Sequence, residues 1–158
     1  MKRRRKPRPV LGWREWIELP ELCATPVKAK IDTGARTSAL HAHDLEIFEA
    51  GGVSVAAFEL HPLQRSAAGT VRVEWPVLGF RRVRSSNGRV ETRPVIVTTA
   101  RIDHVTWPIE ITLASRDEMG FRMLLGRSAV RRRFLVDPGR SFLAAKAPKK
   151  PKKPRRKP

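Results

Sequence analysis

The 158-residue chain has a single cysteine, Cys23, so no internal disulfide can form, and a reducing cytoplasm is the expected compartment. It also lacks any apolar stretch long enough to span a bilayer, so no membrane contact is expected. The N-terminal Lys/Arg run resembles the start of an export signal, but Val10 to Leu22 contains Arg14, Glu15, Glu18 and Glu21 and offers no apolar core for one. Two site motifs are missing as well. Without a Gly-x-x-x-x-Gly-Lys phosphate loop, any ATP is expected to be used by a partner, and no His-Glu-x-x-His zinc motif occurs. Acids are scarce, 15 against 33 Lys/Arg. Both Met1–Arg8 and Lys146–Pro158 have none, and these tails supply fourteen of the formal +18, leaving about +4 to residues 9–145. The extreme basicity belongs to two tails and not to the fold.

The expected organisation is a basic arm over residues 1–9, one domain over 10–145, and a Lys/Arg/Pro-rich tail over 146–158. About 135 residues can bury a real core without staples. The C-terminal tail has a proline every third or fourth residue and no apolar periodicity, so it is expected to be extended and disordered. Such a tail binds polyanions through counterion release. Two readings stay open: a solubilising tail with incidental RNA affinity, and specific docking to RNA, a ribosome or an acidic partner.

What is present is a series of short alternating segments. Trp13–Leu19 reads as a strand stopped by Pro20, and Val27–Asp32 as a second, with Lys28, Lys30 and Asp32 facing away from Val27, Ala29 and Ile31. Extended chain is expected over Arg36–His43, whereas Asp44–Ala50 is ambiguous between strand and helical turn. Gly51-Gly52 marks a turn before the strand Val53–Leu60, and Thr70–Trp75 alternates again. Arg82–Arg84 and Val90–Arg93 flank Ser85-Ser86-Asn87-Gly88, and Asn-Gly favours a tight hairpin. Its Arg-rich arms predict a hairpin that projects from the core. Val95–Thr99 and Trp107–Leu113 are further strands. Met123-Leu124-Leu125-Gly126 reads as a buried strand, Arg127–Phe134 as a short helix, and Leu135–Leu143 as strand, Pro-Gly turn, strand. The fold class expected is all-β, closed or sandwiched.

Chemistry concentrates at the end of the second strand. Asp32-Thr33-Gly34 sets an acid, a hydroxyl and a glycine in line, and glycine lets a backbone approach where a Cβ obstructs. The same triplet also suits a plain strand-to-turn exit. Three features then occur in order: a strand ending in Asp-Thr-Gly-Ala, a Gly-tipped projecting hairpin, and Leu-Leu-Gly-Arg before a short helix.

That order resembles the retropepsin-like aspartic proteases. The chain is most similar to the bacterial family called ATP-dependent zinc proteases, or RimK-associated retropepsin-like proteases. The match is carried by Lys30–Ala42, Val83–Gly88, Arg93–Ile96 and Met123–Arg127, within residues 11–143. The resemblance implies a single-domain acid-protease β-barrel with one short C-terminal helix, in which Asp32 is the catalytic carboxylate. One such acid per chain is half a site, so a homodimer is implied. Thr33 then bonds across the dimer axis and Gly34 offers its N–H to the carboxylate. Ala35, Leu124, Leu125, Gly126 and Arg127 support the loop, and Ser85, Ser86, Asn87 and Gly88 form a flap with Arg84 beside it.

The family is also associated with an ATP-grasp ligase that adds glutamates to a ribosomal protein. An acidic peptide substrate is therefore implied, with that ligase a possible partner. Arg36 and the hairpin residues Arg81, Arg82, Arg84, Arg89 and Arg93 suit carboxylates, although a solvated basic face explains any one of them. No cofactor is expected for aspartic chemistry. The zinc in the family's name finds its nearest donors in His41 and His43, two apart on one strand face, with Asp44 adjacent and His61 and His104 isolated in sequence. Two other readings remain: a zinc-dependent peptidase, and a non-catalytic module that docks a ligase or ribosome through its tails.

Overall fold

The computed structural model describes residues 5–63, 67–84, 87–115 and 120–144. Ser85, Ser86 and the C-terminal tail lie outside the described residues. The described residues form twelve strands and one helical turn: β1 (Val10–Leu11), β2 (Arg14–Ile17), β3 (Val27–Asp32), β4 (Ser38–His41), β5 (His43–Ala50), β6 (Val53–Leu60), β7 (Val71–Pro76), β8 (Gly79–Arg84), β9 (Val90–Ile102), β10 (Val105–Ala114), β11 (Met123–Gly126), α1 (Arg127–Val130) and β12 (Leu135–Val136). The protein is all-β with one short helix, as the sequence pattern predicts. No helix among the described residues is long and apolar enough to cross a membrane.

Seven strands form the main sheet in the order β2-β3-β11-β4-β10-β9-β8, while β5-β6-β7 form a second sheet and β1 pairs with β12. Alternation sets the faces. Val27, Ala29 and Ile31 are buried while Lys30 is exposed. Phe58 and Leu60 of β6, Ile96 of β9, Ile111 and Leu113 of β10, and Met123 and Leu125 of β11 join them in one core. Each such fully buried side chain stabilises the fold by about 1.5–3 kcal/mol.

The topology is decided by β11, which lies between β3 and β4, parallel to the first and antiparallel to the second. It fills the gap that opens where the chain leaves β3 at Asp32 and returns at Ser38. Gly126 is required there, because a Cβ would come within 2.5 Å of the Thr37 carbonyl.

Four segments differ from expectation. Arg36–His43 is not continuously extended, since a loop precedes β4. The hairpin arm at Val90–Arg93 and the strand at Val95–Thr99 are one 13-residue strand, β9. Pro94 is tolerated because pairing with β10 stops at Val95, leaving β9 one neighbour there. The helix is confined to Arg127–Val130.

The fourth, Arg140–Leu143, forms no strand. The buried Glu15 carboxylate instead accepts the backbone N–H of Gly12 (2.8 Å), Leu143 (2.7 Å) and Ala144 (3.2 Å). Phe142 adopts φ +53° and donates its N–H to the Arg14 carbonyl at 3.0 Å. The segment is thereby strapped across β2. A buried carboxylate gathers these orphan amides better than a short ladder could.

Candidate active site

Asp32 closes β3 opposite Gly126 of β11 and is partly buried, whereas Thr33 and Gly34 are exposed. Its Oδ1 accepts the backbone N–H of Gly34 and of Ala35, each at 3.1 Å. These bonds aim the carboxylate along the loop and, among the described residues, leave Oδ2 without a hydrogen bond. A Cβ on Gly34 would sit 3.3 Å from Oδ1, tight enough to push the carboxylate aside.

The loop is held from behind by α1. A helix leaves its first N–H groups without internal partners, and here Arg127 N–H bonds the Ala35 carbonyl (2.7 Å) while Ser128 N–H bonds that of Arg36 (3.1 Å). The Arg127 guanidinium reaches the Thr33 carbonyl at 2.9 Å. Gly126 N–H donates to Ser38 Oγ (3.0 Å), and Thr112 Oγ1 donates to the Ser38 carbonyl (3.1 Å). Asp32, Thr33, Gly34, Ala35, Gly126 and Arg127 are thus brought together. Leu125 is core, and Leu124 is partly buried beside it.

A cleft of about 400 Å³ adjoins this loop, lined by Arg36, Thr37 and Ser38 with Arg81, Trp107, Glu110, Ser128 and Arg133. Its three arginines face one acid, Glu110, which Arg81 holds at 2.9 Å. Trp107 Nε1 in the cleft wall is buried with no hydrogen-bond partner among the described residues. Arg133, missed in the sequence, lies over the Trp107 ring at 5.8 Å. Only its place just past the helix could have signalled it.

The hairpin joins β8 to β9 at the edge of the main sheet, with Gly88 at φ +83° and Asn87 Oδ1 accepting the Arg89 N–H at 3.2 Å. Arg82, Arg84 and Arg89 are exposed, but Arg93 is buried against Glu91 at 3.2 Å. The hairpin's basic face is therefore smaller than its arginine count implies.

Cys23 is buried, its thiol donates to the Thr25 carbonyl at 2.9 Å, and burial pushes its pKa up, away from a thiolate. Among metal donors, His41 is buried and its ring stacks on His43 at 6.2 Å, but the ligand atoms that cluster belong to His43, Glu59 and His61. His61 is isolated only in sequence. The β5–β6 hairpin brings His43 opposite Glu59 only through a register slip between His43 and Glu46, which the sequence does not announce.

This fold and loop define a retropepsin-like protein. The chain belongs to the RimB-like family, described as "retropepsin-like aspartic endopeptidase RimB", whose model matches residues 10–147. It is 43% identical over 133 residues to a "probable alpha-L-glutamate ligase" of Shewanella halifaxensis, covering 84% of this chain and 29% of that protein. A protein of the same name from Parasynechococcus marenigrum is 46% identical over 129 residues, covering 82% and 28%. The chain thus spans less than a third of these curated relatives. Among solved structures, a Legionella pneumophila protein of unknown function superposes with a TM-score of 0.66 at 25% identity, covering 85% of this chain and 96% of that one.

Proposed function

We propose that this chain is an aspartic peptidase acting as a homodimer, each subunit giving one Asp32 to a shared site. The observation that carries this reading is the Asp32 carboxylate, aimed by the Gly34 and Ala35 amides on a loop clamped by Arg127. Membership of a retropepsin-like endopeptidase family supports it. Two carboxylates facing across a two-fold axis cannot both ionise cheaply, so they share a proton and titrate as a pair. The ionised member takes a proton from water as general base. The protonated member donates to the scissile carbonyl. The exposed Thr33 ties the paired loops, and the hairpin at Asn87-Gly88 closes over substrate and excludes water.

The substrate class is acidic, glutamate-rich peptide ends. Its support is the cleft beside the loop, where Arg36, Arg81 and Arg133 outnumber Glu110. Glutamate-ligase relatives sharing this segment agree with a polyglutamate substrate and with the ligase as a partner. Those same relatives favour a second reading, a docking module for such a ligase without catalysis of its own. Cleavage of a glutamate-tailed peptide by wild type and Asp32→Asn decides between them. Loss of cleavage in the variant supports the peptidase, and a wild type with no cleavage supports the module.

A further inference from the structure

We propose that His43, Glu59 and His61 form a three-ligand site for a divalent transition-metal ion, with zinc the cation the donor set suits. Their ligand atoms all lie within 4.8 Å of one another. Strand geometry makes the cluster. His43 of β5 is the direct cross-strand partner of Glu59 of β6, and His61, two residues past Glu59, falls on the same face.

The register slips between His43 and Glu46, where Asp44 and Leu45 oppose Phe58 alone and Asp44 adopts φ +50°. Such a bulge re-aims the side chain beside it. Here the His43 ring meets that of His61 edge to face, centroids 4.9 Å apart. Asp44 Oδ2 lies 3.6 Å from His43 Nε2 and adds further negative charge.

The second observation concerns protons. Thr70 Oγ1 donates its one hydrogen to the Ala67 carbonyl at 2.7 Å. Towards His61 Nδ1, 3.3 Å away, that hydroxyl can then only accept, so Nδ1 carries the ring proton. In the neutral ring the lone pair is consequently on Nε2, which points at Glu59 Oε2 from 3.2 Å. Nε2 and Glu59 are thus placed to share one cation, a proton in the bare ion pair and a metal ion when the site is loaded. A ligating histidine whose other nitrogen is fixed by a hydrogen bond is the usual outer-shell arrangement of a metal site. Two imidazoles and one carboxylate suit zinc, with a fourth position left for water. The ion would staple β5 to β6. It is separate from the Asp32 chemistry, which requires no metal.

The test is calorimetric titration of zinc into the EDTA-treated full chain, with cobalt(II) absorbance as a second readout. One zinc per chain is expected, with a rise in thermal midpoint on binding. His61→Ala and His43→Ala should each weaken binding at least about tenfold, and Thr70→Val by about tenfold through the lost outer-shell bond. His104→Ala and Asp32→Asn should bind zinc as wild type does. Absence of saturable binding in the wild type overturns the proposal, as does His61→Ala binding with unchanged affinity. If an alanine variant fails to fold, the cobalt spectrum of the wild type decides: imidazole-type tetrahedral bands support the site, and the spectrum of the aqueous ion overturns it.

Discussion

The Arg127 guanidinium donates to the Thr33 carbonyl at 2.9 Å, joining the start of α1 to the loop that carries Asp32. It leaves the carboxylate itself untouched. Because the arginine is exposed, Arg127→Ala removes little packing. The expected result is a fall in kcat of about ten- to a hundredfold from loop misplacement, with KM and the thermal midpoint nearly unchanged. Steady-state kinetics beside a melting curve checks it. A change confined to KM would count against a positioning role.

Gly126→Ala attacks the same loop from the packing side. Its new methyl would meet the Thr37 carbonyl carbon and oxygen at 2.5 Å, both backbone atoms that cannot swing away. Overpacking of this kind costs about 1–3 kcal/mol, and β11 cannot retreat without opening its pairing with β3. Urea denaturation should show that loss, accompanied by loss of activity.

Glu15→Ala should be among the most damaging single changes. It strands the buried amide of Gly12 and the partly buried amides of Leu143 and Ala144. One unmet buried donor costs about 1–3 kcal/mol, so a total near 3 kcal/mol is expected by chemical denaturation. Enhanced proteolysis beyond residue 139 should accompany it as the strap lifts.

The Glu18–Arg101 pair predicts a pH effect of definite sign. Arg101 Nε bonds Glu18 Oε2 at 2.6 Å, and that bond, partly opposed by desolvation, holds the Glu18 carboxyl below its ordinary 4.5. A carboxylate with a depressed folded pKa gives stability above its unfolded value, lost as pH falls through the folded one. Melting curves of wild type and Glu18→Gln should therefore differ by a constant small amount near neutrality and converge as pH falls below 4.5 and the folded carboxylate takes up its proton. Convergence at high pH instead would reverse the assignment. Both side chains are largely exposed, so salt should shrink the gap.

Much of the fold was legible because its strands alternate. Val27–Asp32, Val53–Leu60 and Met123–Gly126 match β3, β6 and β11 to the residue. Each has an apolar side with a clear stop at Gly or a turn. The insertion of β11 between β3 and β4 was not legible, since pairing across some 90 residues leaves no local pattern. It entered only through resemblance. Glu15 shares the inward face of its strand with Ile17 and Leu19, but nothing near it in sequence announced the amides of residues 143 and 144. Asp32 was visible as a motif, but its aiming by two amides is a property of the folded loop.

The central claim is that Asp32 is half of a shared site, and subunit mixing tests it most directly. Wild type is equilibrated with a ninefold excess of Asp32→Asn, and cleavage of a glutamate-tailed peptide is followed per wild-type subunit. The variant keeps an oxygen to accept the Gly34 and Ala35 amides, so it should fold and pair normally. If two copies build one site, most wild-type chains become trapped with inert partners, and activity per wild-type subunit falls to about a tenth. Unchanged activity, with exchange confirmed by mass, would mean that each chain works alone and would contradict the account.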